Sequence, residues 1–563
     1  MNPLFKKQVS RRTMLGGMGA AGVLGALALA GCSNPNPGGG GGDEGGGGGE
    51  GGGEGQTTLN VGVGETDGYD WRIEADNEKS SLTFGDTLLM MNPETYADEP
   101  GLAEKWELSP DGLVWTFHLR PDVAFHDDWG TVTAEDVKFT WSKWCQEDAD
   151  HGSRMIQMRR AIDDNMDNFE VVDDLTFRLH AKEPVVQLLS VLNYAAAGMT
   201  VTSKKYFDEK PDEANTHPIG TGPWKFVSSK PKQELVIEAV KTPHPFRSTP
   251  KFDRAVLTYV ADGAARLAQL QAGTLQLAQL QSDLKGEAEA AGLQLISIKD
   301  VGHCDLVLGG QYFGDPHLDT GAPWIQGDST DSAKGKAIRE ALSLAIDRQQ
   351  ILDVVLKGDG SVTNGPLMVY QADGPISDPT WSAPVFDPAL AKQKLAEGGF
   401  PDGFDVEFML FDADVDTTGV GEAVCGMWEE IGIKVKRSPI EEEVNDEFLK
   451  TYNSAGHAWL HIQANNTDPT PQMQSYYPDP TFGDYKWFDP ATTAAFEELQ
   501  TQNDKTKRLE IATAAIGKLR DDIVPISMFS VDLPYAVSSD IATWDPIPIL
   551  NTISRLEDVE PNR

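Results

Sequence analysis

Residues 38–55 hold 14 glycines in 18 positions, interrupted only by Asp43, Glu44, Glu50 and Glu54. Such a run has no apolar side chain to bury, so nothing offsets its chain entropy and it behaves as a flexible, self-repelling tether. It contains G-x-G-x-x-G trivially, but no strand precedes it, so it is not a dinucleotide loop. The run splits the 563 residues into a short head and a body from Thr57 onward that must hold every core the chain builds. At about 150 residues per domain, a chain of this length predicts three or four units.

Charge narrows the partners. Lys and Arg number 47 against 87 Asp and Glu, a net −40. The first 31 residues carry Lys6, Lys7, Arg11 and Arg12 and no acid, so the remainder stands at 43 against 87, or −44. That balance repels phosphate backbones and argues against nucleic acid; by itself it indicates solubility and no particular ligand. A mean hydropathy of −0.35 argues against a multi-span membrane protein.

The head reads Ser10-Arg11-Arg12-Thr13-Met14-Leu15, then Gly, Ala, Leu and Val up to Gly31-Cys32. A basic start, a short apolar stretch and a small-residue end make a cleaved signal over 1–31. Its Ser-Arg-Arg-x-Met-Leu resembles the twin-arginine export signal, and Leu29-Ala30-Gly31-Cys32 resembles the bacterial lipobox, which implies lipidation of Cys32. The tether, 32–56, would then span roughly 25–30 Å r.m.s. between membrane and body. Cys145, Cys304 and Cys425 remain, with no C-x-x-C and no zinc spacing, and are expected as free buried thiols.

In the body, strand and helix signals alternate. Leu59–Val63 alternates as a first strand. Trp106–Leu108 and Leu113–Leu119 flank the turn tetrad Ser109-Pro110-Asp111-Gly112, a hairpin with Trp115, Phe117 and Leu119 on one face. Thr133-Ala134-Glu135-Asp136 opens a helix with a capping box, and Asp387-Pro388 opens another that Gly398-Gly399 closes. A single helix is expected over 333–357, with Ile338, Leu342, Ala345, Ile346, Leu352 and Val355 as its apolar stripe. The fold class is α/β.

Residues 102–120 (LAEKWELSPDGLVWTFHLR), followed by VAFHD at 123–127 and TAEDV at 133–137, resemble the signature block of the family 5 extracellular solute-binding proteins. Three further blocks follow in that family's order: PIGTGPWKF at 218–226, AARLAQLQAG at 264–273 and REALSLAIDR at 339–348. The family comprises oligopeptide, dipeptide and nickel receptors of ABC importers. The resemblance implies a two-lobed periplasmic-binding fold of the large peptide-binding class, hinged between lobes. It places lobe I at 57–274 with an inserted subdomain near 85–195, lobe II at 275–520, and a C-terminal return to lobe I at 521–563. It also implies a monomer that binds a peptide or small-molecule solute, works with a permease and its ATPase, and sits on the outer face of the cytoplasmic membrane.

In peptide receptors of the family a W-x-A-D-x-x-D-P segment supplies an aspartate for the ligand's ammonium. The matching stretch here is Ile462-Gln463-Ala464-Asn465-Asn466-Thr467-Asp468-Pro469, so Asn465 stands in the acid's place. An amide cannot make the charge-assisted bond, which speaks against a dipeptide held by its two termini. The stretch before Gly421, Phe411-Asp412-Ala413-Asp414-Val415-Asp416, has three acids and no base where a carboxylate-binding arginine would be expected. A longer peptide, a sugar, a cationic compound and a metal chelate stay open. Candidate ligand contacts are Asn465, Asp468, Tyr69, Trp71 and Tyr476, with Tyr477 beside it. Trp224 reads as core. His457 and His461 would pair on a helix but fall in a stretch that reads as a strand, and the alternating acids lack the remainder of a calcium loop, so no metal site is assigned.

No catalytic residue or cofactor is expected: the chain lacks G-x-S-x-G, H-E-x-x-H and a phosphate loop. A secreted hydrolase and a sensory receptor on the same fold are the rival readings.

Overall fold

The computed structural model describes residues 57–64, 81–147, 149, 152–196, 198–366, 369–371, 374–376, 378–411, 416–440, 454, 456–474, 489–550 and 552–562. Cys32, Tyr69, Trp71, Asp412, Asp414, Tyr476 and Tyr477 lie outside them.

An 11-stranded mixed sheet runs through the body. Its centre is a pair of long antiparallel strands, Gln294–Leu308 and Ile526–Val537, here called the first and second hinge strands. On one side the second hinge strand pairs with Leu277–Gln279, which continues through Thr58–Val63, Arg254–Tyr259, Glu234–Ala239 and Trp224–Lys230. On the other side the first hinge strand pairs with His457–Ala464, followed by Asp405–Leu410 and Lys434–Pro439. The two hinge strands thus carry the chain between two lobes. All 12 residues of the second are buried, the polar Ser527, Ser530 and Asp532 among them.

Lobe I carries an inserted layer, the four-stranded antiparallel sheet Ala103–Leu108, Val114–Leu119, Thr176–His180 and Phe169–Asp173. Its inner face stacks Trp115, Phe117, Phe177 and Phe169 ring on ring, against the helix Ala134–Trp144. That helix begins at a capping box in which Thr133 and Asp136 each satisfy the other's backbone N–H. The hairpin turn closes on Gly112 at φ +76°, where a glycine is needed.

The helix expected over 333–357 is two helices, Ala333–Leu344 and Arg348–Val354. Asp347 leaves helical geometry at ψ 86° and its carboxylate accepts from Gln350 N at 3.0 Å, so it caps a new helix where the periodicity alone reads through. The apolar stripe is core as expected. His457 and His461 lie on the strand His457–Ala464, where four residues span about 13 Å, too far for one ion. Among the described residues no group of three His, Cys, Asp or Glu could hold a metal, and no helix is long and apolar enough to cross a membrane.

Cys145, Cys304 and Cys425 are free thiols, Cys145 half-buried and the other two buried. Burial pushes Cys145 and Cys425 up to about 12, so all stay protonated and inert at neutral pH.

Candidate functional site between the lobes

The family-like motifs turn out to be framework. A Cβ on Gly220 would sit 2.0 Å from the Phe84 carbonyl, so only glycine lets this turn pack so close. Thr221 between the two glycines donates to Asp86 at 2.7 Å. Burial alone would raise the Asp86 carboxyl, but His244, Arg247 and Thr221 outweigh it and hold it well below the carboxylate range. Arg339 and Arg348 are buried and donate mainly to backbone carbonyls, those of Asp522 and Trp324 for one and of Ser527 and Ser343 for the other. Both tie helices of lobe II to the hinge end of the sheet, and neither is free for a ligand. Trp224 is fully buried.

The groups that face across the lobes gather where the first hinge strand breaks. Pairing with the second hinge strand slips between Ile298 and Gly302, and Asp300 adopts φ +56°, a conformation Asp tolerates better than most residues. The bulge is pinned from below by Asp532: its carboxylate accepts Asp300 N at 2.9 Å and Lys299 Nζ at 2.6 Å. Burial pushes the Asp532 carboxyl up, although the Lys299 bond opposes this. The side chain of Asp300 is held by two hydroxyls, Tyr370 Oη at 2.8 Å and Ser530 Oγ at 2.7 Å, both donating to Oδ1.

Asn465 closes the same corner. Its amide nitrogen donates to the Asp300 carbonyl at 2.7 Å, and its oxygen lies 3.0 Å from His303 Nδ1. Gln472 Nε2 is 3.2 Å from that ring nitrogen. Tyr370 is fixed to this loop by its own backbone, with N donating to the Asn466 carbonyl at 2.8 Å. Asp468 faces inward: it accepts Thr470 N at 2.9 Å and pairs with Arg508 Nη2 at 2.7 Å, both side chains nearly buried.

Lobe I meets this corner through Tyr96, whose ring centre is 6.0 Å from that of Tyr370. Burial first, and then the charge of Asp300, raise the Tyr96 phenol; the same two causes raise Tyr370. Two residues on, Asp98 accepts from the Asn193 amide at 2.7 Å. Burial raises its carboxyl too, with Lys505 and Arg508 of lobe II acting in the opposite sense. At the rim, Arg160 Nη1 donates to Gln500 Oε1 at 3.3 Å, and Gly112 packs on the Asn503 amide. The lobes are in contact from hinge to rim.

The kinship of this lobe junction is decided by the sequence through it: residues 99–484 match the family model of the bacterial extracellular solute-binding proteins, family 5 (Middle). The chain belongs to that family. Family 5 relatives include a dipeptide-binding protein of Pseudomonas aeruginosa, 26% identical over 515 residues, covering 84% of this chain and 90% of the relative. A heme-binding protein A of Haemophilus influenzae is 29% identical over 373 residues, 62% of each chain. Among solved structures, NikA from Brucella suis in complex with Fe(III)-EDTA superposes with a TM-score of 0.73 at 19% identity, over 90% of this chain and all of the other. The body is therefore a two-lobed periplasmic-binding fold, and the chain is an extracytoplasmic solute-binding protein of the ABC-importer class.

Of the residues singled out from sequence, the structure brings Asn465 to the hinge corner and sets Asp468 against Arg508. Asp300, Tyr370 and Tyr96 were not singled out. Asp300 and Tyr96 share one visible signal, a non-glycine residue in a left-handed turn, which sequence alone does not reveal.

Proposed function

We propose that this family 5 protein is a lipid-anchored receptor that captures peptides, or a related small solute, by hinge closure and delivers them to an ABC permease. The observation that carries this reading is the meeting of Tyr96 from lobe I with Tyr370 from lobe II beside Asp300 of the hinge. Ligand that bridges the three binds the closed form better and shifts the population toward it. The dipeptide-binding relatives support peptides as the solute class. The head supports anchoring: Cys32 ends an apolar stretch at L-A-G-C, and several acyl chains on one residue hold a protein where one chain holds only marginally. The protein acts as a monomer and catalyses nothing.

A second reading has its own observation. Asn465 is spent on Asp300 and His303, so the ammonium contact of the family's peptide receptors is missing from its usual place, which favours a non-peptide solute. Native mass spectrometry of the purified chain, with any carried-over ligand released and identified, tests both. A set of peptide masses supports the first reading, and one defined non-peptide mass replaces it with the second. Membrane fractionation of a Cys32→Ala variant tests the anchor: release of the chain is expected, and retention would refute lipidation at that residue.

A further inference from the structure

Among the described residues, several carboxylates around the lobe junction are matched by bases, and Asp300 and Asp98 are not. Asp468 has Arg508, Asp532 has Lys299, and Asp86 has Arg247 and His244. Asp300 is half-buried and has no base within ion-pair distance among the described residues, since the neighbouring Lys299 is turned to Asp532. Both hydroxyls that reach it donate to Oδ1, and among the described residues none donates to Oδ2. Tyr370 and Ser530 therefore fix the orientation of the carboxyl group through Oδ1 and leave Oδ2 open at the point where the lobes meet. Across the space, Tyr96 presents an aromatic ring beside Tyr370, and Asp98 follows two residues later with an amide as its hydrogen-bond partner.

From this arrangement we infer that Asp300 is the residue that selects a cationic nitrogen, an ammonium or guanidinium carried by the solute. The inference rests on the cleft being the ligand site. An N–H⁺ group placed against Oδ2 makes a charge-assisted bond, with the Tyr96 ring able to cover its other side. A neutral solute would leave the charge buried on closure, and an anionic one would meet Asp300 and Asp98 together, so the same groups reject as well as select. Asn465 then has a positioning role: its amide holds the Asp300 carbonyl and so sets the bulge that aims the carboxylate.

The test is isothermal titration of the full chain in detergent with three probes: Ala-Ala-Ala, N-acetyl-Ala-Ala-Ala and agmatine. At least one of the two cationic probes is expected to bind, and Asp300→Asn is expected to weaken it by about ten- to a hundredfold, the worth of one hydrogen bond to a charged group. Asparagine can still accept both hydroxyls, so the melting temperature should be kept. If that variant does not fold, the wild-type ratio decides: the free-amino tripeptide should bind at least tenfold tighter than its acetylated form, or agmatine should bind where the acetylated form does not. Binding of agmatine without the tripeptide keeps this inference and removes peptides as the solute. Equal binding of the two tripeptides keeps peptides and overturns the inference. Failure of both cationic probes, or an Asp300→Asn affinity within twofold of wild type, overturns it as well.

Discussion

The Tyr370 phenol donates to Asp300 Oδ1 across 2.8 Å, joining a short strand of lobe II to the one residue of the first hinge strand that has left-handed backbone. Tyr370 N is also bonded to the Asn466 carbonyl, so one residue ties the hinge corner to the Asn465 loop.

Removing that phenol isolates the coupling. Tyr370→Phe keeps the ring against Tyr96 and deletes the bond to Asp300, whose carboxylate retains Ser530. The expected loss is about 1 kcal/mol in melting experiments, with a larger fall in affinity for whichever tripeptide or agmatine probe binds. Equal affinity in the two chains would show that the phenol does not orient the carboxylate.

Arg508 and Asp468 form a framework pair. The guanidinium also donates to the carbonyls of Gln502 and Asn503, so it fastens the turn before the last long helix to the start of Pro469–Gln474. Arg508→Met leaves a nearly buried carboxylate without its base and should cost about 3–5 kcal/mol in denaturant unfolding. Adding Asp468→Asn should recover much of that. A double variant as unstable as the single one would mean the pair is not coupled.

How much of this was legible follows from what each motif does. Arg339, Arg348, Gly220 and Gly222 serve backbone carbonyls and close packing, constraints that any chain with this fold must meet. They fix the family and say nothing of the solute. The hairpin around Gly112 and the helix caps at Thr133 and Asp387 were readable because their chemistry is local. The break at Asp347 was hidden by an apolar period that continues through it. The hinge corner was opaque for a different reason: Asp300, Tyr370 and Ser530 are separated by 70 and 160 residues, and only the crossing of two hinge strands brings them together. Asn465 was visible as a departure from the peptide-receptor pattern, but its engagement with Asp300 depends on that same crossing.

Asp98 should leave a pH signature. Burial raises its folded-state pKa above the unfolded value of about 3.9, so the contribution it makes to stability is full below that pH and is lost as pH rises through the folded pKa. Asp98→Asn keeps an acceptor for Asn193 and removes the ionisation. Its melting temperature should exceed wild type at pH 7, with the difference shrinking as pH falls through the raised folded-state pKa and levelling off below about 4. A difference that stays constant from pH 4 to 7 would rule out desolvation of this carboxylate as the cause. Asp532, raised in the same way, is common to both chains and cancels.

Rim contacts bias closure without touching the hinge corner. Arg160 reaches Gln500 at 3.3 Å, and a methyl group on Gly112 would fall 2.1 Å from the Asn503 amide nitrogen. Gln500→Ala removes one neutral-to-charged hydrogen bond that exists only while the lobes touch. At about 1 kcal/mol this lowers the closed-to-open ratio roughly fivefold. Where the closed form is already dominant, the ratio shift leaves most molecules closed and the apparent affinity nearly unchanged. Where it is a minority, the probe's affinity falls by almost the full factor. Small-angle scattering of wild type and Gln500→Ala, with and without the binding probe, separates the cases through the radius of gyration. Expansion of the probe-free variant, reversed by saturating probe, is the expected result. Identical radii together with an unchanged affinity would show that the rim contact carries no part of closure.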